Sequence, residues 1–245
     1  MIAIKRVLTI SILVVMFQNL SAQDKGYSID MLDKEYRNAV KLFNKGDNQG
    51  ALNAFSSIIE KDAKQVDAWY NRGNVYMNLK HYNKAVEDFT KVIELDPLHG
   101  MAFYQRGLAK KNLNDLKGAK ADFTAATEAD SKLVRAYRAR ADLARDAGKL
   151  KDALVDYKTV CTRQSKNPEN FFQRGMIYSE MKKYSEANKD FSRAINLGAS
   201  NPEVYYNRGV MRHHLKDKKG ACADWKYASE YGDQDAYDLW RKACK

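Results

Sequence analysis

Four short segments, Tyr70-Asn71-Arg72-Gly73, Tyr104-Gln105-Arg106-Gly107, Phe172-Gln173-Arg174-Gly175 and Tyr206-Asn207-Arg208-Gly209, recur at multiples of 34 residues with no insertion between them. A fixed period of this length means that one supersecondary unit is stacked on copies of itself, each copy covering the apolar face of its neighbour. Units starting at 32, 66, 100, 134, 168 and 202 fill residues 32–235 without a gap. A lead-in (23–31) precedes them and ten residues (236–245) follow.

Two kinds of position stay in phase. The eighth residue of each unit is small: Ala39, Gly73, Gly107, Ala141, Gly175 and Gly209. The twentieth is always alanine (Ala51, Ala85, Ala119, Ala153, Ala187, Ala221), and the twenty-fourth is large: Phe55, Phe89, Phe123, Tyr157, Phe191 and Trp225. Alanine and an aromatic four residues later share one helical face, and small residues let two helices approach closely, so each unit reads as a helical hairpin. Composition agrees: 44% apolar and 30% charged residues with three prolines among 245 are too apolar for a disordered chain. Beyond residue 22 no apolar run nears the roughly 20 residues of a membrane-spanning helix, which excludes a polytopic membrane protein.

Trp69, Gly73, Tyr76, Ala85, Phe89 and Pro97 give the chain a pattern that resembles the tetratricopeptide repeat, and the resemblance covers residues 32–235. It implies an all-α fold, a right-handed α-solenoid of six tetratricopeptide helical hairpins plus a C-terminal capping helix at 236–245. In that helix Leu239 and Ala243 stand where a seventh unit would have its fourth and eighth residues. The chain departs from the family where leucine is expected at the seventh position, having Arg72, Arg106, Arg140, Arg174 and Arg208 instead. Each of these five units also has an aspartate at position 23 (Asp88, Asp122, Asp156, Asp190, Asp224), and the first unit lacks both, with Asn38 and Ala54. Charges that appear and vanish together point to an ion pair between helices, within a unit or between neighbours, more than to an arginine row for anionic ligands.

The resemblance further implies a concave, ligand-binding groove lined by positions 2, 5, 6, 9, 12 and 13 of each first helix. Position 5 supplies Tyr36, Tyr70, Tyr104, Phe172 and Tyr206, continued by Trp240 on the cap, and position 6 supplies Asn71, Gln105, Gln173 and Asn207, with Asn74 nearby at position 9. Aromatic faces beside amides suit an extended peptide; the same rings could equally serve to pack neighbouring units. In the fourth unit Arg138 interrupts the aromatic row, flanked by Arg135, Arg145, Asp142 and Asp146, which is either a carboxylate anchor or a self-neutralised cluster. The lysine, asparagine and arginine clamp that part of the family uses for carboxylate tails is not carried over, because Tyr36, Val40, Met101 and Gln105 stand where it would need other residues.

The formal charge is +11, and its excess lies in the turns within hairpins: Lys80, Lys84, Lys117, Lys120, Lys149, Lys151, Lys182, Lys183, Lys216, Lys218 and Lys219. Such an edge is either a solvated surface or a weak contact for an anionic membrane surface or polysaccharide. Lys5 and Arg6, the apolar run 7–17 and small residues Ser21 and Ala22 have the order of a secretory signal peptide, with cleavage after Ala22 or Gln23. An exported, most simply periplasmic, chain follows, and nucleic acid is then not its partner. Cys222 and Cys244 are candidates for a disulfide between the last unit and the cap, leaving Cys161 as a buried thiol. Four histidines lack the spacing of a metal site, and the chain has neither a phosphate loop nor a nucleophile elbow, so neither cofactor nor catalysis is expected. The expectation is a non-catalytic scaffold or adaptor that binds a protein or peptide segment, with an envelope protein using the lysine edge as the alternative.

Overall fold

A computed structural model describes residues 28–245, so the expected leader (1–22) and residues 23–27 of the lead-in lie outside the described residues. The described chain is helical throughout, in thirteen helices: α1 (Ile29–Asn44), α2 (Asn48–Lys61), α3 (Val66–Asn78), α4 (Tyr82–Leu95), α5 (Gly100–Asn112), α6 (Leu116–Ala129), α7 (Val134–Asp146), α8 (Leu150–Arg163), α9 (Pro168–Glu180), α10 (Tyr184–Asn196), α11 (Pro202–His214), α12 (Lys218–Glu230) and α13 (Gln234–Cys244). Five first helices begin on the residue that opens a 34-residue unit, and the cap begins two residues before 236. The first starts earlier than the repeat register, because Ser28 accepts a hydrogen bond from the Met31 amide and so caps α1 ahead of residue 32. The helices form two compact units, divided after Leu133 at a repeat boundary.

Local chemistry fixes the ends. Asp47, Asp115 and Asp217 accept from the amides of Gly50, Gly118 and Gly220 at 2.8–2.9 Å, opening the second helix of their hairpins. Asn167 and Asn201 cap α9 and α11, each followed by a proline at the first helical position, where its missing N–H costs nothing. Each first helix ends in a turn whose fifteenth residue takes the left-handed conformation. Gly46 and Gly148 do so without strain, whereas Lys80, Lys182 and Lys216 do so at φ of 57–66°.

Within a hairpin the helices approach through the small eighth position. A Cβ added at Gly73, Gly107, Gly175 or Gly209 would come within 2.6–2.7 Å of the ring of Phe89, Phe123, Phe191 or Trp225. The twentieth-position alanines are fully buried on the facing helix, so the core of each hairpin is an aromatic ring set into a notch of small residues.

The five arginine–aspartate pairs lie within single hairpins. In every case Arg Nε donates to one carboxylate oxygen at 2.7–3.0 Å and Nη2 to the other at 2.7 Å. The guanidinium also lies 4.7–5.6 Å from the position-4 aromatic of its own helix. Nη1 of Arg72, Arg106 and Arg208 donates to Ser56, Thr90 and Ser192 of the preceding hairpin. Each such arginine therefore ties its own two helices and, in these three cases, the hairpin before. This geometry leaves no open arginine row.

Candidate functional site

In the N-terminal compact unit Tyr36, Tyr70 and Tyr104 lie half-buried against Phe55, Phe89 and Phe123, with ring centroids 5.7–6.0 Å apart. Each position-5 ring thus backs onto the aromatic of its own hairpin and is partly exposed. The amides bridge hairpins: Asn71 Nδ2 donates to Tyr36 Oη at 2.8 Å, and Gln105 Nε2 donates to Asn74 Oδ1 at 2.9 Å. These bonds use the amide N–H groups. The oxygens of Asn71 and Gln105 have no partner among the described residues and are open to a donor such as a peptide N–H.

The C-terminal unit corrects the sequence reading at position 5. Phe172 is 7% exposed and belongs to the core with Phe191, at a centroid distance of 5.9 Å, so it offers no surface to a ligand. Its neighbours Asn170 and Phe171 on α9 are buried as well. Arg138 does not point a free guanidinium outward either: its Nη2 donates to Asn170 Oδ1 at 2.7 Å and Gln164 Oε1 at 3.1 Å. Asn170 is fully buried, and its Nδ2 donates back to the carbonyl and side-chain oxygens of Gln164. Arg145 is bound as well, to Glu180 through Nε at 2.7 Å and to Gln173 Oε1 through Nη1 at 3.2 Å. Between the two readings of this cluster, the geometry is that of arginines already held.

Around them lies a cavity of about 310 Å³, lined by Arg138, Asp142, Arg145, Asp146, Tyr157, Glu169 and Gln173. Every first-helix member of this lining stands at position 2, 5, 6, 9, 12 or 13 of its unit. The sequence did not single out Tyr157 as part of this lining, or Gln164 and Asn170 as the partners of Arg138. A signal existed in that the fourth unit alone pairs a charged position 5 with a hydroxylated position 24. Tyr157 Oη donates to Asp142 Oδ1 at 2.5 Å. Burial raises the Tyr157 hydroxyl well above its ordinary range, and the acceptor and charge of Asp142 push the same way, so it remains a donor at any physiological pH.

Of the remaining face residues, Arg135 is exposed and lies outside the cavity lining. Tyr206 is half-buried on the cluster of Ala221, Trp225, Ala228 and Ala236, while Asn207 Nδ2 donates to the Glu203 carbonyl at 2.8 Å. Trp240 packs on the same cluster with Lys245 Nζ 4.4 Å above its ring. Cys222 and Cys244 are joined by a disulfide that ties α13 to α12.

Cys161 is buried, its thiol donating to the Asn170 carbonyl at 3.3 Å, and burial pushes its pKa up to about 11. A thiol raised in this way stays protonated until pH approaches the raised value. At pH 8 the thiolate is then roughly one part in 1,000, and only the thiolate attacks. Ellman's reagent is accordingly expected to leave the folded protein unlabelled at pH 8 and to titrate one thiol after denaturation. Labelling of the folded form within minutes would contradict this.

Three family models, each described as the tetratricopeptide repeat, match residues 66–98, 104–168 and 168–200. The chain belongs to the tetratricopeptide repeat family. No curated protein gives a match. Among solved structures of tetratricopeptide proteins, YrrB, described as having an unusual peptide-binding site, is 21% identical over 78% of this chain and 100% of its own, with a TM-score of 0.69. The C-terminal part of a tetratricopeptide protein from Cytophaga hutchinsonii is 18% identical over 80% of this chain and 78% of its own, at a TM-score of 0.70. MamA from Desulfovibrio magneticus RS-1 is 19% identical over 68% and 94%, at 0.61. Likeness at these identities speaks for the tetratricopeptide fold.

Proposed function

We propose that this tetratricopeptide protein is a non-catalytic interaction scaffold, exported by its leader, that binds an extended protein or peptide segment on its first-helix faces. The observation that carries the reading is the cavity of about 310 Å³ on that face, lined by both donors and acceptors of α7, α8 and α9. The open amide oxygens of Asn71 and Gln105 add acceptors on the other compact unit. The peptide-binding site described for YrrB, on the same fold, supports it further. Export is supported by the leader's residue order and agrees with the disulfide, since disulfides persist in oxidising compartments.

The cavity's charge favours one kind of segment. Its two arginines are held by Asn170, Gln164, Glu180 and Gln173, and of its three carboxylates Asp142 accepts from Tyr157 and Glu169 from Gln173, so that three acidic against two basic side chains leave the lining net acidic. A lysine or arginine side chain of the bound segment fits this balance better than a C-terminal carboxylate. An array of extended peptides that differ only in Lys or Arg against Gln tests the reading. Asp146→Asn/Glu169→Gln, which alters two exposed side chains, should weaken the basic peptides about fivefold and leave the Gln peptides unchanged. Equal binding of both sets to both proteins would sink it.

A second reading, contact with an anionic membrane surface or polysaccharide, rests on the turns of the C-terminal compact unit. Arg145 bridges to Glu180, and Tyr184 stacks on His214 at 4.1 Å, which sets neighbouring turns side by side. Lys149, Lys151, Lys182, Lys183, Lys216, Lys218 and Lys219 are all exposed there. Steep loss of binding with added salt would favour this edge, because screening acts on exposed charges.

A further inference from the structure

A second cavity, of about 260 Å³, lies within α11, α12 and α13, apart from the first-helix cavity. Its polar lining is His213, Lys216 and Lys218; its apolar lining is Ala221, Trp225, Ala243 and the disulfide-bonded Cys222. The lining contains no carboxylate. Asp217, between the two lysines in sequence, is turned elsewhere: one oxygen accepts from the Gly220 amide at 2.9 Å and the other is 3.7 Å from Arg212 Nε. Asp224, the nearest buried carboxylate in α12, is held by Arg208 and Arg212. Neither lysine of the cavity is in an ion pair among the described residues, so their charge is uncompensated.

One further observation bears on this place. Trp225, whose indole is part of the lining, is only 2% exposed; its Nε1 is set against Gly209 in the hairpin notch and has no hydrogen-bond partner among the described residues.

We propose that this cavity is a binding site for a phosphate ester carried on an apolar body. Lys216 and Lys218 supply donors and positive charge to the phosphate oxygens and His213 a ring N–H, and no carboxylate is among the lining residues. The indole, the two alanines and the disulfide receive the apolar part. The shared chemistry admits two sources, the headgroup of a membrane phospholipid or a soluble phosphate ester. The site is independent of the peptide-binding reading, sharing no residue with the first-helix cavity, and it differs from general attraction to the lysine edge in being saturable.

The test uses the full mature chain and the indole N–H resonances of its three tryptophans, with Trp225 assigned through Trp225→Phe. Titration with inorganic phosphate at constant ionic strength should shift the Trp225 resonance to saturation. Lys216→Gln/Lys218→Gln, both exposed positions, should weaken this at least about tenfold, because a hydrogen bond to a charged group is worth that much. Lys149→Gln/Lys151→Gln, which removes the same charge from another turn, should leave it unchanged. An unshifted Trp225 resonance, or equal loss in both double variants, overturns the proposal. Phosphatidylglycerol vesicles and glycerol 3-phosphate then separate the sources: whichever binds in a Lys216- and Lys218-dependent way supports the site and names its ligand. Failure of both overturns it.

Discussion

Arg72→Asn should lower the stability of the protein by about 3–5 kcal/mol, the usual result of removing one partner from a buried ion pair. Asp88 is 2% exposed, and burial holds its carboxyl above the ordinary carboxylate range even with Arg72 in place. Deprived of the guanidinium, a carboxyl with a raised pKa destabilises the fold once pH passes its unfolded value, and increasingly up to its folded one. The loss should therefore be smaller near pH 4 than at pH 7. Arg72→Asn/Asp88→Ala, which copies the Asn38 and Ala54 of the first hairpin, should recover most of the stability. Urea unfolding followed by circular dichroism checks both statements. If the single and double variants prove equally unstable, the charge pair is not what Arg72 contributes, and its contacts with Trp69 and Ser56 are.

Removing the disulfide should cost about 3 kcal/mol, the chain-entropy figure for a closed loop of this size, the two cysteines being 22 residues apart. The effect should be local. In Cys222→Ser/Cys244→Ser, amide exchange in α13 is expected to accelerate by two orders of magnitude or so, that energy expressed as an opening constant. Helices before α11 should exchange as in the parent. Unchanged protection of α13 would mean that Leu239, Trp240 and Ala243, packed on Trp225 and its neighbours, hold the cap unaided.

The hairpins were legible in the sequence because what builds them is periodic. Gly73 and Phe89 or Gly107 and Phe123 stand 16 residues apart in every copy, and close approach needs only that one be small and the other large. The same 16-residue spacing separates Arg72 from Asp88, yet an ion pair inside a hairpin and one between hairpins look alike in a repeating sequence. The division after Leu133 leaves no mark in the repeat. The candidate site was half legible. Register placed the face, since Arg138, Asp142, Arg145 and Gln173 lie on it as the period requires. Accessibility was not readable, because it depends on residues outside the register: Gln164, just beyond the end of α8, and Asn170, 32 residues from Arg138, claim that arginine, and Phe172 goes inward.

The first hairpin, with Asn38 and Ala54, has no arginine–aspartate pair, while the last is closed to its cap by a covalent bond. Tension applied from the amino-terminal side of the described residues, or a protease that pulls as it cuts, meets helices tied by side-chain packing and by the Glu35–Lys61 ion pair, with no covalent closure. The same pull from the carboxyl terminus meets a loop that cannot be drawn out until sulfur is reduced. The protein is therefore mechanically polar, with one end that peels and one that locks, and the direction of attack sets how long it survives.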